Sequence, residues 1–594
     1  MAANILLDIA ANILLSLGSY ASQEIGLALG VKEELRKMEN NVSTIKNILL
    51  DAQERQMSNL AVKEWLQRLK LILYDDDDLL DEVATETKIR QGESLVKKVR
   101  YFFTSSNPLV FSYVVGCKFK DVGKRLDEIV SQMHDFQFVV KLVERPIETI
   151  RREETSSIMN TPTMIVGRED DKNNLVSLLL SSHYEENVPI IPIVGMGGLG
   201  QKELYKMHDL VHDLAQYVAG NECLSIRGAI TQTIPDTVRH VSFYRDGKRI
   251  VHIYFNEGWF APVFDWDIPW KFPRSLTRAK KLRTMLCSTK RGPTFESSEP
   301  EIGSSRCLRL LEGCHLASKL YVPEKIGKLK LLRYLSIGGV KKLPKSFCNL
   351  INLQYLDLPQ SNMVKLPKDF GKLVNLRFLS FSTELTCLPK EEIGGLTSLR
   401  MLIISRSSNL RSLGEGLEHL SCLRELVLDR CSALVSLPAG FRHLTSLERL
   451  EMSSCHCFDF SNDDLKGLRS LKKLKVYNLP RLVNLPNGIQ DAAASLTHLE
   501  ISGCTNFTSP SEFIVPYLLS LQSLRISYCP EVRSLPEGMQ RLTNLQFLSI
   551  VKCNLLTSSY KEGGEDWPKV AHIPSIELFE RFKGLSTLDL LGEF

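Results

Sequence analysis

Residues 195–203 read GMGGLGQKE. Gly195, Gly197, Gly198 and Gly200 stand where a phosphate-binding loop would place them, letting backbone N–H groups wrap the phosphates of a nucleotide. That chemistry next requires a lysine directly after the last glycine, to reach the terminal phosphates, and then a hydroxyl to hold magnesium. Here Gln201 takes the lysine's place, Lys202 comes one position late, and Glu203 puts a carboxylate where the hydroxyl belongs. A carboxylate repels phosphate. The free glycine amides retain at most a weak pull on an anion. Met207-His208-Asp209 follows within seven residues of Gly200 and begins a different motif.

A nucleotide site also needs a sheet to present it, and one strand–helix–strand unit takes about 30 residues. Only the six residues Gln201–Lys206 separate the glycines from Met207. No apolar strand ending in paired aspartates follows before the C-terminal repeats. The expectation is therefore a remnant: no catalytic residues, no enzyme activity, no metal, and no resident cofactor. The apolar run VPIIPIV (188–194) would be a central strand of an intact sheet and lacks partners here, which makes it an aggregation hazard.

With 594 residues the chain can hold several domains. Its 74 basic and 69 acidic residues leave a net charge of +5, too little to point to nucleic acid. No run of apolar residues is long enough to span a membrane. The apolar start MAANILLDIAANILLSLG has no basic residue before Lys32, so it reads as an amphipathic helix and not a signal peptide. Fourteen cysteines are too few for a disulfide scaffold, and a reducing compartment is expected.

Residues 1–138 carry helical stripes. Val31, Leu35, Met38, Val42, Ile45 and Leu49 alternate steps of four and three, as do Phe119, Val122, Leu126, Ile129, Met133 and Phe136. A further stripe runs Val62, Trp65, Leu69, Ile72, Leu79 and Val83, and its spacing places Asp76, inside DDDD (75–78), on or beside the seam. With the N-terminal helix these make a four-helix bundle. Asp76 is read either as the edge of a solvated acidic face or as part of an acidic patch that docks on a basic surface elsewhere in the chain. Residues 139–200 contain a polar linker, a short helix and the glycine turn.

The C-terminal half repeats. Leu335/Ile337, Leu356/Leu358, Leu379/Phe381, Leu402/Ile404, Leu426/Leu428, Leu450/Met452, Leu474/Val476, Leu499/Ile501, Leu524/Ile526 and Leu548/Ile550 recur at intervals of 21 to 25 residues, the leucine-rich-repeat period. Each unit supplies one short parallel strand and buries its core only by stacking. Leu-Pro pairs between strands turn the chain on the convex side. Cys431, Cys455, Cys504, Cys529 and Cys553 each fall three residues after the second apolar position, the small-residue slot of the repeat. Cys455-His456-Cys457 has no second ligand pair nearby and is not expected to bind metal.

The residue between the two apolar positions faces the open side of each strand. Glu451, Lys475, Glu500 and Arg525 alternate in sign there and suggest a self-paired ladder. Ile403 and Val427 are apolar neighbours on that face, which points to a protein partner, unless flanking groups cover them.

Taken together, VKEWLQRLKLILYDDDDLLDEVATE (62–86), IVGREDDK (165–172), GMGGLG (195–200), YKMHDLVHDLAQYVAG (205–220), GEDWPKVAHIPSIEL (564–578) and the repeats resemble plant intracellular immune receptors of the coiled-coil, nucleotide-binding, leucine-rich-repeat class. The resemblance implies four segments. These are a coiled-coil four-helix bundle (1–138), a linker with the start of a truncated nucleotide-binding module (139–200), a winged-helix remnant leading to the repeats (201–300) and a leucine-rich-repeat solenoid (301–594), a multidomain α and α/β chain. In such receptors ADP holds the closed state, ATP opens it, and the histidine matching His208 contacts the diphosphate. The implied role is pathogen defence. The repeats would recognise an effector or a guarded host protein, and the bundle would associate with itself or with full-length relatives. The implied location is the cytoplasm, with the nucleus or the plasma-membrane periphery as further sites. Two other readings remain: a truncated splice form or gene model of a full-length receptor, and a residual nucleotide-dependent switch ATPase.

Overall fold

A computed structural model describes residues 2–22, 32–56, 58–91, 108–138, 222–227, 237–244, 250–251, 263–264, 280–287, 294–295, 305–316 and 322–579, the last with gaps at 509–517, 536–537, 554–559 and 561–562. The chain divides into two units, one through Lys202 and one from Glu203. Gly195, Gly197, Gly198, Gly200, Lys202 and His208 lie outside the described residues, as does the linker.

Among its described residues the first unit contains four α-helices: α1 (Ala2–Ser22), α2 (Lys32–Arg55), α3 (Leu60–Gln91) and α4 (Pro108–Met133). Local chemistry sets their ends. Glu33 and Glu34 sit in the first turn of α2 and Arg55 in its last, each opposing the helix dipole. Asn59 caps α3, its Oδ1 accepting from the N–H of Ala61 at 2.9 Å and Val62 at 3.3 Å. Pro108 opens α4, where a missing N–H costs nothing.

Cross-helix pairs give the topology. Glu34–Lys120 and Asn41–Asp127 run in step, so α2 and α4 are parallel. Asp75–Arg125 and Glu82–Lys118 run in opposite order, so α3 and α4 are antiparallel. Apart from Val31, which lies outside the described residues, the predicted stripes meet in one core with Leu6, Ala10, Ile13 and Leu17 of α1, with Met133 and Phe136 partly buried against it. Trp65, wholly buried, donates its indole N–H to the Ile129 carbonyl at 3.1 Å.

Asp76 corrects the solvated-edge expectation. Heptad steps of four and three through Ile72 and Leu79 land on it, and it lies in the core at 0% exposure. Neither carboxylate oxygen has a hydrogen-bond partner. Burial, reinforced by Asp77 and Asp75, pushes its pKa up to about 8. The rest of the acidic run is not a free patch either, for Arg125 holds Asp75 at 2.9 Å and Asp78 is buried.

The second unit is a solenoid. Its parallel sheet runs in the order β1 (Cys223–Arg227), β2 (His240–Tyr244), β5 (Thr284–Cys287), β7 (Leu310–Leu316), then β8 (Tyr334–Gly338) through β18 (Ser575–Phe579); β3 (Ile250–Val251) and β4 (Val263–Phe264) form a separate antiparallel pair, and β6 (Thr294–Phe295) pairs with β7. Every predicted Leu-x-Leu pair from Leu335 to Leu548 stands in register with its neighbours. Their leucines join one buried core with Phe347, Phe370, Phe441 and Phe507. Pro323, Pro344, Pro438 and Pro486 precede short 3-10 turns on the other side of each coil, with φ between −66° and −72°, the value their rings impose.

Strands β1, β2 and β5 fall within 201–300, the segment read as a winged-helix remnant and connection to the repeats, and they pair in parallel with the solenoid. Their apolar positions are Leu224/Ile226, Val241/Phe243 and Met285/Cys287, and the interval from Val241 to Met285 is too long for a periodic scan to register. At the other end Ile576 and Leu578 add a strand beyond the ten read from the sequence.

One backbone position recurs with a left-handed conformation, two residues past the second apolar position. Gly339, Gln360, Arg406, Arg430, Ser454, Asn478, Gly503, Tyr528 and Lys552 there have φ between 49° and 74°. The bend aims the N–H at the next coil: Arg430 donates to Ser453, Ser454 to Tyr477, Asn478 to Ser502 and Tyr528 to Val551, all at 2.8–2.9 Å. The small-residue slot lies next to it. Cys431, Cys455 and Cys553 are wholly buried and give their S–H to carbonyls of the preceding coil, Ile404, Leu428 and Ile526, at 3.7–3.8 Å.

Two expected outcomes follow. Asp76→Leu stabilises the bundle. The folded carboxyl keeps its proton up to about pH 8, whereas an unfolded aspartate releases it near pH 4. The native cost is therefore absent at pH 3, grows as pH rises between those values, and is constant above them. Helical melting should show a gain on the order of a few kcal/mol at pH 8 and much less at pH 4. In the solenoid, Arg430→Pro cannot reach φ +54° and loses the bond to Ser453. It should lower stability by about 3 kcal/mol, while Arg430→Gly stays close to the parent in urea unfolding.

Candidate protein-recognition face

Period-two alternation puts three outward residues on each strand: one before, one between and one after the buried pair. The sequence reading took only the middle one. The outer row adds what it missed.

At the N-terminal end of the face, Tyr334, Tyr355 and Phe378 occupy successive rungs and stack, with ring centroids 4.2 and 4.0 Å apart. Met401 continues the row on the next rung. One row over, Ile403 and Val427 are paired neighbours on β11 (Met401–Ser405) and β12 (Glu425–Asp429). All six are half-buried and face the open side. They form one continuous apolar strip across β8 to β12.

Acids border the strip. Asp357 lies between Ser336 and Ser380 on adjacent rungs. Burial raises its pKa, and the two hydroxyls oppose that by hydrogen bonding. Burial also raises Glu312, with Asp357 adding to the effect. Burial moves the Tyr355 hydroxyl up to about 12, so the stacked rings stay neutral.

Past Val427 the face becomes charged. The alternating ladder pairs itself at one rung alone, Lys475–Glu500 at 3.2 Å. Glu451 instead takes Arg449 from its own strand at 2.6 Å, and Arg449 also reaches Glu425 at 3.6 Å. Arg525 lies over the Phe547 ring, 4.7 Å from its centroid. The ladder expectation is corrected to that extent: rows two residues apart interact as readily as rungs.

A second charged feature lies two residues before each strand's first apolar position. On the strands whose first apolar position runs from Val241 to Leu426 it is Arg239, Arg283, Arg309, Arg333, Arg377, Arg400 and Arg424, broken by Gln354; elsewhere along the ladder through β17 it is Glu222, Glu448, Lys472, Thr497, Gln522 and Gln546. Their backbones form one hydrogen-bonded file, each N–H donating to the previous carbonyl at 2.7–2.9 Å. Arg377, Arg400 and Arg424 are exposed. The signal was present in the repeat as Leu-Arg-x-Leu-x-Leu, but a search for apolar positions passes over it.

Metal chemistry finds no support in the CHC segment, because Cys455 turns its thiol into the ladder while His456 faces solvent. Among the described residues no group of three His, Cys, Asp or Glu side chains could hold a metal ion. None of the described helices is long and apolar enough to cross a membrane.

Comparison with known proteins agrees with both units. Residues 10–120 match the Rx N-terminal domain family, and residues 292–433 and 368–555 match a leucine-rich repeat region family. Disease resistance protein RGA2 of Solanum bulbocastanum is 33% identical over 194 residues, 32% of this chain and 19% of that protein. RGA4 of the same plant is 32% identical over 193 residues, with the same two coverages. The matched segments thus span about a fifth of those relatives' length. A leucine-rich-repeat protein of Leptospira interrogans is 19% identical with a TM-score of 0.36, covering 63% of this chain and all of that one. With an Rx-type helical bundle ahead of the repeats and disease resistance proteins as its relatives, the chain belongs to the plant coiled-coil, leucine-rich-repeat (CC-NLR) disease resistance family.

Proposed function

We propose that the chain acts in plant defence as a receptor-like recognition protein without a nucleotide switch. The observation that carries this is the apolar strip from Tyr334 to Val427 on the open side of the sheet. Apolar side chains gathered on an open face favour removal from water, worth about 25 cal/mol per Å² buried. The ligand class is a protein surface, either a pathogen effector or a guarded host protein. The helical bundle associates with another copy or with a full-length relative. Leu15, 75% exposed on α1, and Tyr113, 74% exposed on α4, are apolar side chains available for that contact.

Loss of the switch rests on the sequence of the glycine loop. Gln201 and Glu203 remove the lysine and hydroxyl chemistry, and six residues before Met207 leave no room for a sheet. The chain is not an enzyme in this reading, ADP and ATP are inherited associations only, and it works in the cytoplasm. The same junction favours a second reading, a truncated splice form or gene model of a full-length receptor, and the transcript and locus across codons 195–210 separate the two.

The test is paired substitution in the full chain. Ile403→Glu with Val427→Glu should abolish proximity labelling of the recognised protein in infected leaf tissue, and Leu15→Lys should not. Both variants should keep the parent's circular dichroism and melting. Undiminished labelling by the double variant would sink the proposal.

A further inference from the structure

Beyond Val427, a hollow of about 530 Å³ opens on the same face, lined by Lys473, Lys475, His498, Glu500, Arg525 and Phe547 among others. Register fixes its layout. Lys473, His498, Ser523 and Phe547 stand on consecutive rungs of one row, and Lys475, Glu500, Arg525 and Ser549 on the next.

The charges in it do not cancel. Lys475 holds Glu500 at 3.2 Å, and the same carboxylate takes a hydrogen bond from Tyr477. Lys473 and Arg525 are exposed, and neither has a carboxylate within ion-pair range among the described residues. The Arg525 guanidinium lies over the Phe547 ring, 4.7 Å from its centroid, a contact that restrains it on the face of the sheet. His498 sits between these cations. Burial first, and then Lys473, Lys475 and Arg525, lower its pKa, so it does not add a charge at neutral pH but can donate or accept a hydrogen bond.

We propose that this hollow is an anion-reading subsite of the concave face that takes an acidic, extended segment of the partner protein. The proposal rests on the recognition role given above and names the chemistry of one end of the ligand. Strand spacing of about 4.8 Å and a residue rise of about 3.3 Å put Lys473 and Arg525 roughly 12 Å apart across the two rows. An extended peptide presents same-face side chains about 6.7 Å apart, so carboxylates four residues apart meet both cations. Phe547, one rung past Arg525, supplies an apolar wall at that end of the hollow.

The exposed arginines Arg377, Arg400 and Arg424 lie outside the hollow's lining and serve as the internal control. The probe is a fluorescein-labelled decapeptide of alternating Glu and Thr, titrated by anisotropy into the full chain at low ionic strength. Lys473→Gln with Arg525→Gln should weaken binding at least tenfold, with the folded dichroism retained. Arg377→Gln with Arg400→Gln should change it less than twofold, and the Lys-Thr peptide should not bind. Equal loss from both double variants would reduce the effect to general charge and overturn the assignment. So would unchanged binding by the Lys473/Arg525 variant, or tighter binding of an oligouridylate through the same two residues. If this test fails while the Ile403/Val427 variant still loses its partner, the hollow is removed and the apolar strip stands; the reverse result removes the strip.

Discussion

The solenoid depends on one constraint: no coil can satisfy its own backbone. Each strand is too short and too isolated to bury a core, so every coil borrows hydrogen bonds from the next. The file of N–H donors at Arg283, Arg309 and Arg333 runs along one edge of the sheet, and the left-handed bends at Arg430, Ser454 and Asn478 run along the other. Between them the strands pair in parallel and the leucines stack. This arrangement is what lines up outward side chains at a single strand spacing. The aromatic stack, the Ile403–Val427 pair and the Lys473–Arg525 hollow are all consequences of that register.

The bundle obeys a different logic. Its core is closed by heptad stripes and by Trp65, whose indole reaches across to α4. Asp76 interrupts that core with a neutral acid in place of an apolar side chain. Replacing such a group by a well-packed apolar one is commonly stabilising, so its presence marks the bundle as less stable than its length allows.

Much of this architecture was legible before any coordinates. A period of 21 to 25 residues is a long, redundant signal, and ten units in register overwhelm local noise. The stripes of α2 to α4 were equally readable because helix periodicity extends over many turns. What escaped was whatever the period did not repeat. Strands β2 and β5 use Val241 and Met285 in leucine positions, with an irregular interval between them. Asp76 was placed on the seam by spacing, yet a run of four aspartates suggested solvent. The heptad outweighed composition, because a residue's face on a helix is fixed by geometry. On the open face the middle row was readable, but the stacking of Tyr334, Tyr355 and Phe378 needed the neighbouring row. Ion pairing at Glu451 went to its own strand, a choice that depends on side-chain reach and not on sequence order.

Among the described residues one parallel ladder of strands runs from Cys223 to Phe579, and the function proposed above requires that ladder to present its open face without help from a nucleotide. Hydrogen–deuterium exchange on the full chain, with and without saturating magnesium ADP, tests this most directly. The account predicts slow exchange at the strand amides of Leu335 through Ile550 and at the bend amides of Arg430, Ser454 and Tyr528, identical in both conditions. Fast exchange along the strands, or protection that appears only when the nucleotide is added, would contradict it.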